Sequence, residues 1–401
     1  MLHHPDARSV VRALAPDAPV ILLRPHAAAR AARFFVEKFR GRSLYAVKAN
    51  PSPALLRVLW DAGVTHYDVA SIAEVRLVRE TLPQAELCFM HPVKSRNAIA
   101  EAYHVHGCRT FSLDTPEELE KIVAACRKDD GSPAKDLKLL VRLRVSSEFS
   151  ELSLASKFGC DLTEAPALLA ATRQHCDWLG VCFHVGSQAM TPFAYVQALE
   201  RARAAIVAAS VLIDIVDVGG GFPSVYPGME PPPLEDYFDV IFRAAESLPV
   251  SYSSELWCEP GRALSAEFSS LVVKVEKRRG NELYINDGAY GALYDAAHVG
   301  WNFPVRALKD GADTATMADY SFYGPTCDDA DYMEGPFALP EDIAPGDYIE
   351  IGMLGAYGAA MKTAFNGFDA VECVTVTDEP MASLYDGSRT RPAADNVVSL
   401  R

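Results

Sequence analysis

Eight short apolar runs, each followed by a segment with helical spacing of apolar residues, restrict the fold of this chain more than any other feature. The runs are rich in β-forming residues and begin near Ser43, Val64, Glu86, Arg109, Lys138, Leu179, Ile213 and Glu255. One of the helical segments begins with a threonine cap, Thr115, followed three residues later by Glu118. Eight strand and helix units within about 240 residues predict an α/β fold, a (β/α)8 barrel of the TIM type.

The sequence changes character after Arg262. Period-two alternation and turn signals dominate from there, as in "ELYINDGAYGAL" and "GDYIEIGMLGAYG". This pattern predicts a second, β-rich domain of a Greek-key or sandwich-like type. We expect residues 24–264 to form the barrel and residues 1–23 and 265–401 to form the β-rich domain, with a loosely held tail at 386–401.

Charge and cysteine content exclude several classes of partner. The 401 residues include 38 basic and 53 acidic side chains, a net charge of −15, which repels nucleic acid and anionic membranes but attracts cationic small molecules. Nine cysteines are scattered without a CxxC pair, so neither a disulfide framework nor a zinc or other metal site is predicted. No uncharged apolar run approaches the ~18 residues of a membrane span, and the N-terminus lacks the apolar core of a signal peptide. We therefore expect a soluble, cytoplasmic protein.

The C-terminal ends of the predicted barrel strands are the place to look for function, because active sites of this fold form there. The residues at these ends are Lys48, Asp68 with Ser71, His91, Asp114, Arg142, His184, Gly219 to Gly221, and Glu259 with Arg262. We expect these polar groups to form a ring around one rim of the barrel.

Lys48 lies in the otherwise apolar run "LYAVKAN". A lysine in such a run can extend its ammonium group to water. It can also serve as a Schiff-base amine, because an amine desolvated on the floor of a barrel loses its proton readily and attacks a carbonyl. The neighbouring motifs decide between these two roles.

Two motifs after the seventh and eighth strands suit a phosphate. "VDVGGGFP" contributes Gly219, Gly220 and Gly221, whose backbone N–H groups can converge on an anion, and these two loops are the usual phosphate site of a barrel. "EPGR" places Glu259 and Arg262 three residues apart, with Gly261 in the bend between them. The arginine can then meet the phosphate while the glutamate faces a basic group.

A further motif, "FHVGSQ", places His184 at the end of the sixth strand, where it can stack on an aromatic ring, and Ser187 within reach of the phosphate. Taken singly, each motif also has a structural explanation: a tight turn, a salt bridge or a core histidine. Together, a buried amine, a phosphate site, an acid facing a ring nitrogen and a stacking imidazole describe pyridoxal 5'-phosphate, PLP.

These motifs, together with "YDVAS", "NDGAYGAL", "GPTCDDAD" and "GAYG", occur in the order found in the fold-type III PLP-dependent decarboxylases. The chain resembles this family, which includes ornithine, diaminopimelate and arginine decarboxylases, over nearly its whole length. The resemblance implies that Lys48 binds the cofactor covalently, that Glu259 keeps the pyridine nitrogen protonated and that His184 stacks on the ring. The other residues that it assigns to the cofactor are Asp68, Arg142, Ser187, Gly219, Gly220, Gly221, Gly261, Arg262 and Tyr357.

The resemblance also implies where the substrate binds. "YGPTCDDADYM" is similar to the ornithine decarboxylase branch, in which the cysteine, here Cys327, returns a proton to Cα and the next aspartate, here Asp328, binds the distal ammonium. "GALYDAAHVG" resembles the specificity turn of the family, with Tyr294 and Asp295. In the diaminopimelate branch a glutamate typically follows the cysteine, and the substrate needs a basic partner instead. The family further implies a homodimer in which Cys327 and Asp328 complete the active site of the partner subunit.

The expected reaction is PLP-dependent decarboxylation of a basic diamino acid, L-ornithine to putrescine and CO2, in polyamine biosynthesis. L-Lysine is a second candidate substrate, because one methylene is discriminated by only ~1–3 kcal/mol and "GWNFP" departs from the common ornithine enzymes. The alternatives are decarboxylation of arginine, diaminopimelate or carboxynorspermidine, an alanine-racemase-type barrel, and a non-catalytic regulator of the antizyme-inhibitor type. The racemases lack the cysteine and acid loop and the "EPGR" turn, and such regulators tend to lose cofactor residues that this chain retains.

Overall fold

The computed structural model describes residues 3–128 and 130–385, so the tail predicted at 386–401 lies outside the described residues. Its strands are β1 (His3–His4), β2 (Val20–Leu23), β3 (Arg42–Ala46), β4 (His66–Val69), β5 (Glu86–Phe89), β6 (Thr110–Leu113), β7 (Lys138–Arg142), β8 (Ser150–Leu152), β9 (Trp178–Cys182), β10 (Ser187–Ala189), β11 (Ile215–Asp217), β12 (Glu255–Cys258), β13 (Ser269–Arg279), β14 (Glu282–Ile285), β15 (Val305–Ala307), β16 (Met317–Tyr323), β17 (Tyr332–Pro340), β18 (Tyr348–Ile351) and β19 (Glu372–Val376). Its α-helices are α1 (Ala7–Leu14), α2 (Pro25–Lys38), α3 (Pro53–Asp61), α4 (Ile72–Thr81), α5 (Arg96–His104), α6 (Pro116–Ala125), α7 (Ala165–Arg173), α8 (Phe193–Ala209), α9 (Leu234–Glu246), α10 (Arg262–Ser265) and α11 (Tyr294–His298).

The predicted (β/α)8 barrel is confirmed. Eight parallel strands close in the order β3-β4-β5-β6-β7-β9-β11-β12, and β12 pairs back to β3 with Trp257 opposite Arg42. The observed strands begin within two residues of the predicted starts, and α6 has the predicted cap, since Thr115 accepts the N–H of Glu118 at 3.2 Å.

Burial on both faces explains why the barrel strands read as continuous apolar runs. Leu44 packs with Cys88, Leu140 and Trp257 in a cluster that draws on most of the barrel strands, whereas its neighbour Tyr45 packs in the larger cluster shared with the surrounding helices. Both residues are fully buried. The barrel interior is therefore a packed core, and the space for a ligand lies at its rim.

The β-rich second domain is also confirmed. A nine-stranded sheet has the order β1-β19-β2-β13-β14-β16-β17, with β18 paired to β13 and to β15. The long strand β13 pairs with β2 and β18 through its first half and with β14 through its second half. Because β2 precedes the barrel in the chain, the N-terminal residues belong to this sheet. The boundaries at residues 24 and 264 stay a prediction.

A buried charge network joins the two units. Arg24 is 1% exposed, and it donates to Glu350 at 2.9 Å, to Asp378 at 3.0 Å and to Ser270 at 2.7 Å. These partners lie on different elements, and moving any of those elements away would leave the buried Arg24 charge unpaired. The network therefore fixes the relative positions of the elements. Among the described residues, no helix has both the length and the apolar character to cross a membrane.

Candidate active site

Lys48 lies on a 3-10 turn, Val47–Ala49, directly after β3. Two hydrogen bonds fix this turn: the Tyr45 hydroxyl donates to the Asn50 carbonyl at 3.0 Å, and the Asn50 side chain donates to the Gly355 carbonyl at 2.8 Å. The strand thus ends two residues before the lysine. Lys48 therefore lies at the rim rather than on the barrel floor, and 43% of its side chain is exposed, while the surrounding protein still desolvates the amine.

A cavity of about 530 Å³ opens at this rim and includes Lys48 in its wall. The predicted site residues that line it are Lys48, Asp68, Arg142, His184, Ser187, Glu259, Arg262, Asp295 and Tyr357. A small extension of the cavity reaches Gly221 and Gly261. Residues spread over more than 300 positions of the chain therefore meet in one place.

The charge on Lys48 is set by its neighbours. Burial favours a lower pKa for Lys48, but Asp68, Tyr357 and Glu259 together raise the pKa above its ordinary value. The Lys48 Nζ lies 3.8 Å from Asp68 Oδ2, and burial raises the pKa of Asp68 in turn, against the opposing charges of Lys48 and Arg142. In the protein without a cofactor, this direction of the pKa shift favours the ammonium form of Lys48, in contrast to the expectation of a readily lost proton.

Two buried carboxyl groups lie next to each other below the rim. Glu259 is 4% exposed and Asp217 is fully buried, and Glu259 Oε1 has no hydrogen-bond partner. Burial raises the pKa of Glu259 well above its usual range, and the nearby Asp217 and Asp68 act in the same direction. Burial also raises the pKa of Asp217 to about 7. An unpaired buried carboxyl oxygen on a residue that lines a cavity is a site for an N–H donor.

His184 is a neutral ring beside the glycine triplet. Burial lowers its pKa well below the usual value, and the charges of Arg142 and Lys48 lower it further. Its Nδ1 accepts the N–H of Gly186 at 3.1 Å, so the ring proton lies on Nε2. A Cβ at Gly220 would lie 3.0 Å from His184 Nε2 and 2.6 Å from the Glu259 carbonyl. The glycine therefore keeps the space beside the ring open, which suits the predicted stacking role.

Arg262 forms a buried cationic centre at the other end of this space. It is 4% exposed and donates to the Tyr226 hydroxyl at 3.0 Å and to Ser187 Oγ at 3.5 Å. It also lies 3.5 Å from Asp295 Oδ2 and packs 4.2 Å from the centre of the Trp301 ring. Its Nε has no partner. A guanidinium held by aromatic rings and hydroxyl groups is suited to bind an anion.

Tyr357 reaches the same point from the second domain. Its backbone has a left-handed conformation, with φ of 58°, and its N–H donates to the Ala49 carbonyl at 2.8 Å. Its ring centre lies 4.9 Å from the Arg262 guanidinium carbon. The residues predicted to bind phosphate from the two domains therefore converge.

The residues predicted for the substrate side are divided between two places. Asp295 lines the Lys48 cavity, whereas Tyr294 packs on His298 at 4.5 Å on the short helix α11. Cys327 and Asp328 line a separate, open cavity of about 980 Å³ on the β-rich domain. Within one chain, the cysteine loop and the lysine cavity are thus two separate surfaces.

Four residues of the site were missed by sequence reasoning. Asn50 and Asp217 stand inside the motifs "YAVKAN" and "VDVGGGFP", so adjacency to the lysine and to the glycines was an available signal. Tyr226 begins a proline-rich segment that none of the motifs above includes, and Trp301 comes from the atypical "GWNFP". The departure at "GWNFP" therefore lies behind Arg262, at the anion end of the site.

Two residues of the predicted rim have structural roles. Ser71 caps α4 by accepting the N–H of Glu74 at 3.2 Å, and Asp114 accepts the N–H of Gly159 at 2.8 Å. His91 lines the cavity opposite these groups and packs on Phe158 at 5.1 Å.

The residues present fit PLP. The unpaired Glu259 Oε1 can accept from a ring N–H, the space kept by Gly220 adjoins the neutral His184, and Arg262 supplies a cation for the phosphate. The Lys48 amine opens into the same cavity. When bound, PLP would be held by these four groups together with Ser187 and Tyr357.

Comparison with known proteins agrees with this site. The sequence model of the pyridoxal-dependent decarboxylases, pyridoxal binding domain, matches residues 26–266. The chain is 30% identical to the lysine/ornithine decarboxylase of Selenomonas ruminantium over 352 residues, which is 85% of each chain. It is 31% identical to the ornithine decarboxylase of Mus musculus over 370 residues, 85% of this chain and 76% of the mouse protein.

A solved structure gives the same result. The arginine decarboxylase of Paramecium bursaria Chlorella virus, bound to agmatine, superimposes with a TM-score of 0.81 at 26% identity, over 92% of this chain and 100% of the viral chain. Sequence likeness, fold and site geometry thus point to one conclusion. The chain belongs to the family of pyridoxal-dependent decarboxylases, and it is a PLP-dependent carboxy-lyase.

Proposed function

We propose that this protein decarboxylates L-ornithine to putrescine and CO2 as a step of polyamine biosynthesis, and that it also accepts L-lysine. The observation that carries this proposal is the Lys48 amine in one cavity with the unpaired Glu259 oxygen and the Arg262 guanidinium. The names of the relatives, ornithine and lysine/ornithine decarboxylase, support the substrate class.

The barrel residues have defined tasks in this reaction. Bound PLP supplies an aldehyde for the substrate amine and a ring that takes up the electron pair left by CO2. When PLP is bound, Glu259 would hold a proton at the ring nitrogen, and the neutral His184 would lie beside the ring without competing for that charge. Lys48 Nζ is the amine that the α-amine of the substrate replaces, and Asp68 at 3.8 Å stabilises its ammonium form.

The cysteine loop completes the reaction. In this proposal Cys327 gives its proton to Cα of the substrate, and Asp328 binds the distal ammonium. The hydrogen bond from the Tyr290 hydroxyl and the N–H of Ala330 keep the pKa of Asp328 below its usual value. Asp328 is therefore an anion at neutral pH, as a partner for an ammonium group must be.

A homodimer would bring the two surfaces together. Residues 359–370 are exposed apart from Lys362, and they present Met361, Phe365 and Phe368 with 39, 41 and 48% of their surface exposed. This apolar segment adjoins the cysteine loop through Asn366, which binds Cys327. Exposed apolar surface of this kind marks an interface, and in a two-fold dimer each copy offers its cysteine loop to the lysine cavity of the other.

Mixed dimers test the shared site. Lys48→Ala is expected to be inactive and Cys327→Ala to form diamine only slowly, but random pairing of the two variants leaves one intact site in half of the dimers, about a quarter of wild-type diamine formation. Activity that stays at the level of the separate variants would contradict a site shared between subunits.

The substrate is tested by CO2 release measured side by side from L-ornithine, L-lysine, L-arginine and meso-diaminopimelate. We expect the highest kcat/KM with ornithine and a value about 10- to 100-fold lower with lysine, the range set by one methylene. A higher kcat/KM with arginine or diaminopimelate would overturn the assignment.

We also propose a cytoplasmic location. All nine cysteines lie among the described residues, and each is a free thiol, which is the usual state in a reducing compartment.

A further inference from the structure

We propose that Asn366 is a positioning residue for the proton donor, accepting a hydrogen bond from the Cys327 S–H and fixing the direction of the thiol. This inference rests on the proposed role of Cys327 in protonating Cα. Asn366 lies 39 residues after the cysteine, in the exposed apolar segment, and nothing in the motif around Cys327 points to it.

The geometry around Cys327 determines which atom of the amide faces the thiol. Asn366 Oδ1 accepts the backbone N–H of Cys327 at 3.2 Å and lies 3.3 Å from Cys327 Sγ. A backbone N–H can only donate, so the atom that it meets must be the amide oxygen rather than the amide nitrogen. The same oxygen is thereby presented to the thiol, which can bind it only by donating its S–H.

The turn that presents Asn366 is anchored to the rest of the site. Asn366 has a left-handed backbone, with φ of 53°, which among residues with a side chain asparagine and aspartate tolerate best. The N–H of Thr363 donates to the Tyr290 carbonyl at 2.8 Å, and the Thr363 hydroxyl accepts the N–H of Phe365 at 3.3 Å. Because Tyr290 also binds Asp328, one structural unit orients both proposed substrate contacts.

The backbone before the cysteine is held independently. Asp331 is 1% exposed, and its Oδ2 accepts the N–H and the hydroxyl of Thr326 at 3.0 and 2.7 Å. Its Oδ1 accepts the N–H of Ala289 at 2.7 Å. The backbone up to Thr326 is therefore fixed without Asn366, which contacts only the N–H and the thiol of Cys327 in this loop.

An acceptor on the thiol has a chemical consequence. A hydrogen bond to the neutral form of an acid stabilises that form against its anion, and the thiolate is the form that alkylating reagents attack. A thiol that donates to Asn366 thus has a fixed S–H direction and is less available to alkylating reagents. Without this acceptor, the S–H has no fixed direction.

Two substitutions separate this role from a purely structural one. Asn366→Gly keeps the left-handed turn and removes the acceptor. Asn366→Asp keeps the turn and an acceptor oxygen, and adds a negative charge that disfavours the thiolate further. A residue needed only for the turn would give two variants that both behave as wild type.

The first measurement is the rate of iodoacetamide alkylation of Cys327 in the holoenzyme, with the exposed Cys373 of the same chain as an internal reference. We expect the ratio of the two rates to rise about threefold in Asn366→Gly, the effect of losing a weak hydrogen bond, and to stay level or fall in Asn366→Asp. An unchanged ratio in Asn366→Gly, or an equal rise in both variants, overturns the inference.

The second measurement is the amount of diamine formed for each CO2 released. Cys327→Ala and Asn366→Gly should both form less diamine than CO2, because decarboxylated substrate that receives no proton at Cα would leave as an amino aldehyde, with its α-nitrogen retained on the cofactor. Asn366→Asp should form nearly equal amounts of diamine and CO2. Equal amounts in Cys327→Ala would refute the proposed role of the cysteine itself. A deficit in Cys327→Ala without one in Asn366→Gly would refute the inference about Asn366 alone.

Discussion

The cavity around Lys48 and the surface around Cys327 differ in how far their functional groups are exposed to solvent. The cavity is built from groups such as Glu259 and Arg262, each 4% exposed. Burial raises the pKa of Glu259, whereas the pKa of Arg262 is raised by Tyr226 and Asp295 against the effect of burial. The surface has an exposed thiol, Cys327, next to the exposed Phe365 and Phe368. Burial within one chain produces the strong electrostatic effects in the Lys48 cavity. The Cys327 surface, in contrast, becomes a site only when another surface, in our proposal the partner subunit, covers it.

This difference explains why each region uses different means to orient its groups. In the barrel, polar groups are buried, and one of them, Glu259 Oε1, has no hydrogen-bond partner. Packing and desolvation therefore determine the charge states and positions of these groups. On the cysteine surface, water remains available, and single hydrogen bonds such as that from Tyr290 to Asp328 determine the geometry. Substitutions in the first region should change charge states and stability, and those in the second should change orientation and substrate affinity.

The largest effect is expected from Lys48→Ala. Removing the amine should abolish covalent cofactor binding and lower turnover by at least roughly a thousandfold, because no other group can exchange with the substrate amine. Borohydride reduction followed by peptide mass analysis identifies the lysine that bears the pyridoxyl group.

Lys157 provides the matched control, because it is a second lysine that lines the same cavity. Lys157→Ala should retain the pyridoxyl mass on Lys48. A pyridoxyl group found on Lys157 or on any other lysine in the wild-type protein would invalidate the site.

The next effect concerns the exposed Cys327 surface. Phe368→Asp places a charge in the apolar segment that we propose as the dimer interface, and a buried unpaired charge is costly. Sedimentation should show a monomer, and activity should fall by about 100-fold at nanomolar protein. Tyr252→Asp is the control, since Tyr252 is 83% exposed on the barrel, and it should leave the dimer intact. A dimeric Phe368→Asp would place the interface elsewhere.

A smaller effect tests whether burial sets the pKa values of the carboxyl groups below the cavity. The pKa of Asp217 is raised to about 7 from an ordinary 3.8, so the folded state binds a proton that the unfolded state has lost. Its contribution to stability therefore falls as pH rises from about 4 to about 7 and is lost above that range. Asp217→Asn removes the titration and retains an oxygen for the Gly219 N–H.

The apoprotein of Asp217→Asn should accordingly be more stable than wild type at pH 8 by about 2 kcal/mol, with little difference near pH 4.5. Thermal unfolding at the two pH values measures this. Asp61→Asn, at an exposed site on α3 of the barrel, should show no such pH-dependent gain. A gain of equal size at both pH values would mean that the carboxyl does not titrate in this range.

The sequence predicted the barrel well because buried parallel strands leave a strong apolar signal, and it predicted Lys48, Glu259 and His184 because each stands at a strand end. It could not predict the ionisation of Lys48, which depends on the approach of Asp68 and Glu259 from other strands. Nor could it assign Asn366 or Trp301, whose contacts join segments that have no spacing relation in the chain.

The smallest effect is expected at Asp328, on the exposed surface. Asp328→Asn keeps the shape of the side chain and removes its charge, so it should raise KM for ornithine about tenfold through the lost ammonium contact while changing kcat little. Asp329→Asn, at the exposed neighbouring position, removes the same charge from the same loop and should leave KM unchanged. Steady-state kinetics of both variants distinguishes a specific contact from the general field of the loop, because a general field would raise KM equally in the two. If KM is unchanged in Asp328→Asn, the distal ammonium binds elsewhere, and Asp295 of the lysine cavity is the remaining carboxylate to test.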